Sequence, residues 1–113
     1  MDYKILNIYS KAKIVKFRSK IFRSLSDPVR LEILEYLRNG EKCVCEIISH
    51  VGIAQPLVSR HLAILKNCGL VNVRKVGNRR FYSVSDQDIF RVIDAVNAEL
   101  VDALSKRVIE QIV

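Results

Sequence analysis

The stretch VCEIISHVGIAQPLVSRHLAILKNCG, residues 44–69, contains two short helix signals separated by a tight turn. The first signal, about Val44 to His50, ends before Gly52. The second begins at Gln55-Pro56 and ends at Cys68-Gly69. Its apolar side chains recur every three or four residues, as in a helix with one buried face. Two helices joined at a glycine in this way predict a helix-turn-helix.

Two strand-like segments follow the helix pair. Residues 70–75 (LVNVRK) are rich in valine, and residues 80–84 (RFYSV) contain two aromatic side chains. The residues between them, 76–79 (VGNR), contain a glycine that suits a hairpin turn. A β-hairpin that directly follows a helix-turn-helix is typical of a winged helix.

Helix signals also precede this unit. Residues 5–25 have the apolar spacing of an amphipathic helix. A further helix is expected to begin at Pro28, with Ser26 or Asp27 as its cap. We expect this helix to end at Asn39-Gly40, because glycine favours the left-handed conformation that often follows a helix.

The last segment, residues 85–113, is predicted to form one long helix capped by Ser85. Apolar side chains recur along it at helical spacing for about six turns. The order of elements predicts an α+β, mostly helical winged helix-turn-helix in a single domain, 1–113. The helix-turn-helix is expected at 44–68 and the wing at 70–84. The apolar stripe of the last helix consists of Ile89, Ile93, Val96, Leu100, Leu104 and Val108.

Length and composition are those of one soluble domain. The 113 residues are 50% hydrophobic and 27% charged, and they are too few for two independent domains. No apolar run approaches the ~18 residues that span a bilayer, and no signal segment is evident. Three cysteines are too few for a disulfide framework. We therefore expect a cytoplasmic protein with no membrane partner.

The charge of the chain is unevenly distributed. Its 19 Lys and Arg residues outnumber 12 Asp and Glu residues, which gives a net charge of +7. Residues 1–23 contain seven basic residues and one acid, and residues 55–82 contain six and none. Residues 83–113 hold six acids and three basic residues. Several elements around the helix-turn-helix therefore present positive charge together, which favours a polyanionic partner such as double-stranded DNA.

The helix-turn-helix and the wing supply candidate contacts to double-stranded DNA. The second helix of such a motif enters the major groove with its N-terminal residues near base edges. Gln pairs with adenine, Arg with guanine, and Ser with a base or a phosphate, whereas a basic wing contacts the backbone or the minor groove. The candidates are Gln55, Ser59 and Arg60 for bases, and Arg74, Lys75, Arg79 and Arg80 on the wing.

Two of these assignments have alternatives. His61 either reaches a phosphate or is buried against the hairpin. The hairpin itself could be an ordinary solvated one. Its four cations have no compensating acid between residues 55 and 82, however, and this favours a contact with DNA.

Five motifs occur in order along the chain: SDPVRLEIL (26–34), EKCVCEI (41–47), QPLVSRHLAIL (55–65), GLV (69–71) and RKVGNRRFY (74–82). Together they resemble the ArsR/SmtB family of winged-helix repressors. The resemblance covers about residues 17–105. It implies a homodimer built on the first and last helices, 1–25 and 85–113, and bound to an operator with two-fold symmetry. It also implies repression that is relieved when a metal or metalloid ion binds.

The resemblance places Cys43-Val44-Cys45 at the thiolate sensor motif of the family, before the recognition helix. Thiolates are favoured near helix N-termini and soft ions prefer sulfur, so As(III), Cd(II), Pb(II) or Zn(II) is the expected inducer. The family motif has a third cysteine three residues later, where this chain has Ile48. Cys68 is expected to be a small core residue. A constitutive repressor and a repressor controlled by thiol oxidation are therefore alternatives.

The second metal site of the family lies on the last helix, where this chain has Asp86, Asp88, Glu99 and Asp102. Eleven residues separate Asp88 from Glu99, which is about 16.5 Å of helix, so one subunit cannot bring both to one ion. Antiparallel helices of a dimer could form a site for a hard cation. A solvated acidic face is the alternative.

No pattern in the chain indicates an enzyme. His50 and His61 are the only histidines, and no Gly-rich phosphate loop or Ser/His/Asp spacing occurs. We therefore expect no required cofactor. A dimerising module that does not bind DNA is a further alternative, but it would leave the basic wing without a use.

Overall fold

The computed structural model describes residues 10–112, so the predicted first turn at residues 5–9 lies outside the described residues. Within that range the chain forms helices and one small sheet in the order expected of a winged helix. The helices are α1 (Lys11–Leu25), α2 (Pro28–Tyr36), α3 (Val44–Val51), α4 (Gln55–Asn67), α5 (Ile89–Ala95) and α6 (Ala98–Ile112). The strands are β1 (Lys42–Cys43), β2 (Val71–Val76) and β3 (Arg79–Val84).

Helix α2 begins at the predicted cap. The Asp27 carboxylate accepts hydrogen bonds from the N–H groups of Val29 and Arg30, at 2.8 and 3.3 Å, and Pro28 occupies the first turn, where its missing N–H leaves no bond unmade. The neighbouring Ser26 has a different role, because its hydroxyl donates to the Arg23 carbonyl at the end of α1. Of the two candidate caps, Asp27 is therefore the one that starts α2.

The core lies between the helix-turn-helix and α2. Helix α4 buries the side chains of Val58, Leu62 and Leu65, as its spacing predicts. They pack with Ile33, Leu34 and Leu37 of the α2 region and with Ile47 of α3. The turn between α3 and α4 contains Gly52 at φ +72°, a left-handed conformation that glycine adopts without strain. Non-directional apolar packing thus fixes which face of α4 points away from the core.

The wing has a third strand that the sequence did not reveal. Strands β2 and β3 form the predicted antiparallel hairpin, with Val71 opposite Val84 and a turn at Gly77. The short strand β1 pairs with the other side of β3, so that Cys43 lies opposite Phe81. The order in the sheet is β1-β3-β2, and the expected two-stranded wing is a three-stranded sheet. Two residues are too few to show an alternating pattern, so the sequence could not predict β1, which is defined by its pairing with β3.

The predicted single last helix is wrong. The chain forms two helices, α5 and α6, separated at Val96 and Asn97. The Asn97 side chain accepts a hydrogen bond from the Leu100 N–H at 2.9 Å, and asparagine is a favoured helix cap. Ser85 does not cap a helix either, because its hydroxyl donates to the Gly69 carbonyl at the base of the wing.

Helices α1 and α6 have extensive exposed apolar surface. Helix α6 buries none of its side chains. The radius of gyration is 17.0 Å, whereas a compact domain of this length has about 13 Å. Within the described residues, no helix is long and apolar enough to cross a membrane. The exposed apolar side chains of the two helices include Ile14, Val15, Phe17, Phe22, Leu100, Val101, Leu104, Val108 and Ile109.

Candidate nucleic-acid interface and thiol site

The first two turns of α4 present the residues that the sequence assigned to base contacts. Gln55, Ser59 and Arg60 are all exposed. Arg60 lies on the face of α4 opposite the buried Val58 and Leu62, Ser59 lies at the side of that face, and Gln55 is exposed at the first position of the helix. Within residues 10–112, none of the three takes part in a side-chain hydrogen bond or ion pair with another side chain. They are therefore available to a nucleic acid.

His61 points to a different side of α4 from these residues. Its imidazole packs at the junction of α1 and α2 rather than against the hairpin, and the side chain is 16% exposed. Nδ1 lies 3.1 Å from a guanidinium nitrogen of Arg30 and 3.9 Å from the Asp27 carboxylate. Of the two alternatives for His61, burial is confirmed but the partners are Arg30 and Asp27 rather than the hairpin, and a phosphate contact stays a prediction. The sequence could not reveal this partner, because Arg30 lies 31 residues earlier.

The wing cations fall into two groups. Lys75, Arg79 and Arg80 are exposed, on and beside the hairpin turn. Arg74 instead forms two hydrogen bonds with the Glu41 carboxylate, at 2.7 and 3.0 Å, and its guanidinium lies 4.9 Å from the centre of the Phe81 ring. The sequence argument that the four cations lack a compensating acid is therefore wrong for Arg74.

The partner of Arg74 is a residue that sequence reasoning missed. Glu41 stands just before β1, whose pairing with β3 brings it to the wing. The hydrogen bond from the Arg74 guanidinium holds the pKa of the Glu41 carboxyl below its usual value. Arg74 is thus a residue that ties the wing to the segment before β1, whereas Lys75, Arg79 and Arg80 have no hydrogen-bonded carboxylate within residues 10–112. A DNA contact by Arg74 stays a prediction.

The two cysteines of the sensor motif lie side by side. Cys43 ends β1 and is the residue before α3, and its side chain is buried, whereas Cys45 is exposed in the first turn of α3. Their Sγ atoms are 2.6 Å apart. Two sulfurs that ligate one tetrahedral zinc ion, each at about 2.3 Å, lie about 3.8 Å apart, so the pair would open on binding.

The two thiols differ in acidity. A hydrogen bond from the Cys45 thiol, together with the N–H groups of Cys45 and Glu46 at the start of α3, holds the pKa of the Cys43 thiol below its usual value. The same shared hydrogen raises the pKa of the Cys45 thiol. Cys43 is therefore the first of the pair to form a thiolate, at the position where a helix N-terminus stabilises one.

The remaining ligand candidates do not join this pair. Ile48 packs against the core, and Cys68 is a buried core residue with 4% of its surface exposed. Within residues 10–112 of one protomer, no three His, Cys, Asp or Glu side chains come together closely enough to hold a metal ion. The thiol site of this protomer thus consists of two soft donors.

Three of the four acidic residues proposed for the second metal site have local partners. Asp86 accepts from the Asp88 N–H at 2.9 Å, Asp88 lies 3.8 Å from Arg91, and Asp102 pairs with Lys106 at 3.1 Å. Glu99 lies in the first turn of α6, beyond the break at Asn97. Since the break separates the two pairs of acids, the helical distance calculated for a single helix does not apply.

Comparison with known proteins gives the family. The model of bacterial regulatory proteins of the arsR family matches residues 27–73, which include α2, the helix-turn-helix and the start of the wing. An arsenical resistance operon repressor of Staphylococcus xylosus is 39% identical over 82 residues, which are 73% of this chain and 75% of that protein. The chain belongs to the arsR family.

A second relative and a solved structure extend the comparison. A probable mercury resistance operon repressor of Streptomyces lividans is 44% identical over 78 residues, 69% of this chain but only 60% of that protein's length. The homodimeric winged helix-turn-helix DNA-binding domain of a possible ArsR-family regulator from Mycobacterium bovis has a TM-score of 0.68 and 29% identity, and it covers 89% of both chains. This arsR-family protein is therefore a DNA-binding transcriptional repressor with a winged helix-turn-helix fold.

Proposed function

We propose that this repressor binds a two-fold symmetric operator as a homodimer and is released from it by a soft metal or metalloid ion at Cys43 and Cys45. The observation that supports DNA recognition most directly is the exposed start of α4, which has no side-chain partner among residues 10–112, beside Lys75, Arg79 and Arg80 of the wing, which have no ion-pair partner in that range. In this arrangement α4 is the recognition helix. Its N-terminal residues meet base edges, and the wing lies over the adjacent backbone.

Each DNA-facing side chain has a distinct chemical role. Arg60 can donate two hydrogen bonds to guanine, Gln55 can pair in two places with adenine, and Ser59 can bond a base or a phosphate. Lys75, Arg79 and Arg80 supply sequence-independent affinity by neutralising phosphates. Arg74, which the sequence grouped with them, has its charge paired with the Glu41 carboxylate, so its share of this affinity should be the smallest.

The dimer would be built on α1 and α6. Both helices expose a row of apolar side chains, and on α6 Leu104 is 52% and Val108 56% exposed. Burial of an apolar face of this kind against a second copy is favourable, at about 25 cal/mol per Å². The homodimeric state of the Mycobacterium bovis domain supports the proposal. Two recognition helices would then read two half-sites of the operator.

The proposed signal is an ion with a preference for sulfur. Cys43 and Cys45 present two adjacent sulfurs, one of which has a lowered pKa. The names of two relatives point in the same direction, since one is an arsenical and the other a mercury resistance operon repressor. A bound ion would supply bonds to both thiolates, and these bonds would act on the residues between β1 and α3.

The contact of the two sulfurs favours oxidation as a second candidate signal. Adjacent thiols, one of them with a lowered pKa, are suited to oxidation to a disulfide. Oxidation would remove two hydrogens and form one S–S bond, with the electrons passing to the added oxidant. This candidate predicts release by an oxidant and not by a metal ion.

The test is operator binding across a panel of As(III), Cd(II), Pb(II), Zn(II), Hg(II) and an oxidant. The operator is first selected by the wild-type chain from random-sequence duplexes. One of the ions is expected to release the wild-type protein but not the Cys43→Ser or Cys45→Ser variant. Cys68→Ala is the matched control and should respond as wild type. If nothing in the panel alters binding, the sensor proposal fails and a constitutive repressor is left.

A further inference from the structure

The side chain of Arg30 connects three helices. Its Nε donates to the Ser24 carbonyl at 2.6 Å, and its Nη2 donates to the Arg23 carbonyl at 3.3 Å, both near the end of α1. Its Nη1 lies 3.1 Å from Nδ1 of His61 on α4. Arg30 itself belongs to the first turn of α2. One planar guanidinium thus fixes the end of α1, the start of α2 and the middle of the recognition helix.

This contact defines the state of His61. Arginine only donates hydrogen bonds, so Nδ1 of His61 must be the acceptor and cannot hold a hydrogen. The charged groups that face the imidazole are Arg30 and Asp27, and Asp27 is itself held by the N–H groups of Val29 and Arg30. The junction of α1 and α2 therefore holds the Arg30 guanidinium in place, and this donor fixes Nδ1 of His61 as the acceptor.

The recognition helix needs such a fixed point. Val58, Leu62 and Leu65 hold α4 against the core by apolar packing, which is non-directional. Base contacts require side chains to be placed within about 0.5 Å and 10–20°. The packing fixes which face of α4 is buried, and a directional hydrogen bond at His61, next to Arg60, can set the finer rotation of the helix about its axis.

We propose that Arg30 is a positioning residue for operator recognition. Its hydrogen bond to His61 sets the rotation of α4 relative to α1 and α2, and thereby aims Arg60 and Ser59 at the bases. A second link from α1 lies at the far end of the recognition helix, where the Lys20 ammonium group donates to the Asn67 carbonyl at 3.2 Å. The two links relate the recognition helix to α1, the helix proposed for the dimer.

The test compares matched arginine substitutions. Arg30→Lys keeps the positive charge but loses the planar fork that bridges three acceptors. Arg38→Lys is the control, because Arg38 also lies near α2 but binds Glu35 and Asp94 and does not contact α4. Dissociation constants are measured for the duplex selected by the wild-type chain and for an unrelated duplex of equal length, and thermal unfolding is followed by circular dichroism.

The expected result is a loss of specificity. Arg30→Lys should weaken binding to the selected duplex about tenfold, or about 1.4 kcal/mol, and change binding to the unrelated duplex by less than about twofold. Arg38→Lys should leave both unchanged. If folded Arg30→Lys binds both duplexes as Arg38→Lys does, or loses affinity equally for both, the proposal is overturned.

Substitutions of His61 provide an independent arm. His61→Leu removes the acceptor, whereas His61→Asn retains an oxygen acceptor close to the position of Nδ1. His61→Leu should reproduce the tenfold loss, His61→Asn should restore most of the affinity, and Arg30→Lys with His61→Leu should bind no more weakly than either single variant. Equal binding by His61→Asn and His61→Leu would contradict the proposal. If Arg30→Lys does not fold, the comparison of His61→Asn with His61→Leu tests the proposal by itself.

Discussion

The surface formed by α4 and the wing differs from the surface formed by α1 and α6 in how much apolar surface it exposes. The first has most of its apolar side chains in the core of the same chain, and apart from Leu57 and Val76 it shows polar and basic groups outside. The second shows a row of apolar side chains, and α6 has no buried residue at all. The proposed DNA-facing surface is thus complete in one chain, whereas the helical surface would be completed by a second copy in the proposed dimer.

The largest effect is expected from breaking the helical surface. Leu104→Glu places a charge in the apolar row of α6 and should convert the dimer into a monomer. Because linked half-sites gain about 10²–10⁴-fold in affinity, operator binding should fall by about that factor. Sedimentation velocity gives the mass, and fluorescence anisotropy gives the affinity.

Ser105→Glu is the matched control for this change. It adds the same charge one residue further along α6, at an exposed polar position. The control should remain dimeric and should bind the operator with nearly wild-type affinity. A Leu104→Glu protein that stays dimeric would show that the apolar row of α6 is not the interface.

The next largest effect should come from the base-reading side chain on the other surface. Arg60→Ala should weaken operator binding by about 1–3 kcal/mol per half-site and affect an unrelated duplex much less. Lys66→Ala, an exposed cation at the opposite end of α4, should affect both duplexes alike. An equal loss of Arg60→Ala on both duplexes would contradict base readout. Neither variant should change the dimer.

The wing allows a comparison within the DNA-facing surface. Arg79→Ala combined with Arg80→Ala should flatten the dependence of log affinity on log salt, since each phosphate contact adds about 0.9 to the slope. Arg74→Ala should leave the slope unchanged, because its charge already pairs with Glu41. A reduced slope for Arg74→Ala would return this residue to the DNA contacts. An unchanged slope for the double variant would remove the wing tip from them.

The sequence predicted those features that repeat locally. The spacing of Val58, Leu62 and Leu65 indicated the buried face of α4, and Gly77 indicated the hairpin turn. The break at Asn97 was missed because the apolar spacing continues through it while the side-chain cap of α6 leaves no periodic signal.

Contacts between distant residues were not predictable in the same way. The partners Arg30 and His61 are 31 residues apart, and Glu41 and Arg74 are 33 residues apart. Each pair forms only because separate elements pack together, so neither leaves a local pattern. For the same reason the sequence assigned Arg74 to DNA and His61 to the hairpin or a phosphate. The exposure of Gln55, Ser59 and Arg60 was predictable, because it depends only on the local helical pattern of α4.

The smallest effect concerns the cap of α2, beneath the recognition helix. Burial raises the pKa of Asp27, but the hydrogen bonds from the Val29 and Arg30 N–H groups and the nearby positive charge of Arg30 outweigh it and lower the pKa overall. Asp27→Ala should lower the free energy of unfolding by about 1 kcal/mol near neutral pH. Ser26→Ala should cost less, because Ser26 does not cap α2.

The difference in unfolding free energy between wild type and Asp27→Ala should depend on pH, because it comes from the Asp27 carboxylate. A pKa that is lower in the folded chain than its ordinary value of 3.8 stabilises the fold above that value, and the stabilisation is lost as the pH falls through the folded pKa. The gap between wild type and Asp27→Ala in chemical denaturation should therefore narrow below about pH 4. Because α2 and α4 are complete within one chain, the gap should also appear in the monomeric Leu104→Glu background. A gap that vanished there would mean that the DNA-facing half depends on the dimer, and the contrast between the two surfaces would not hold.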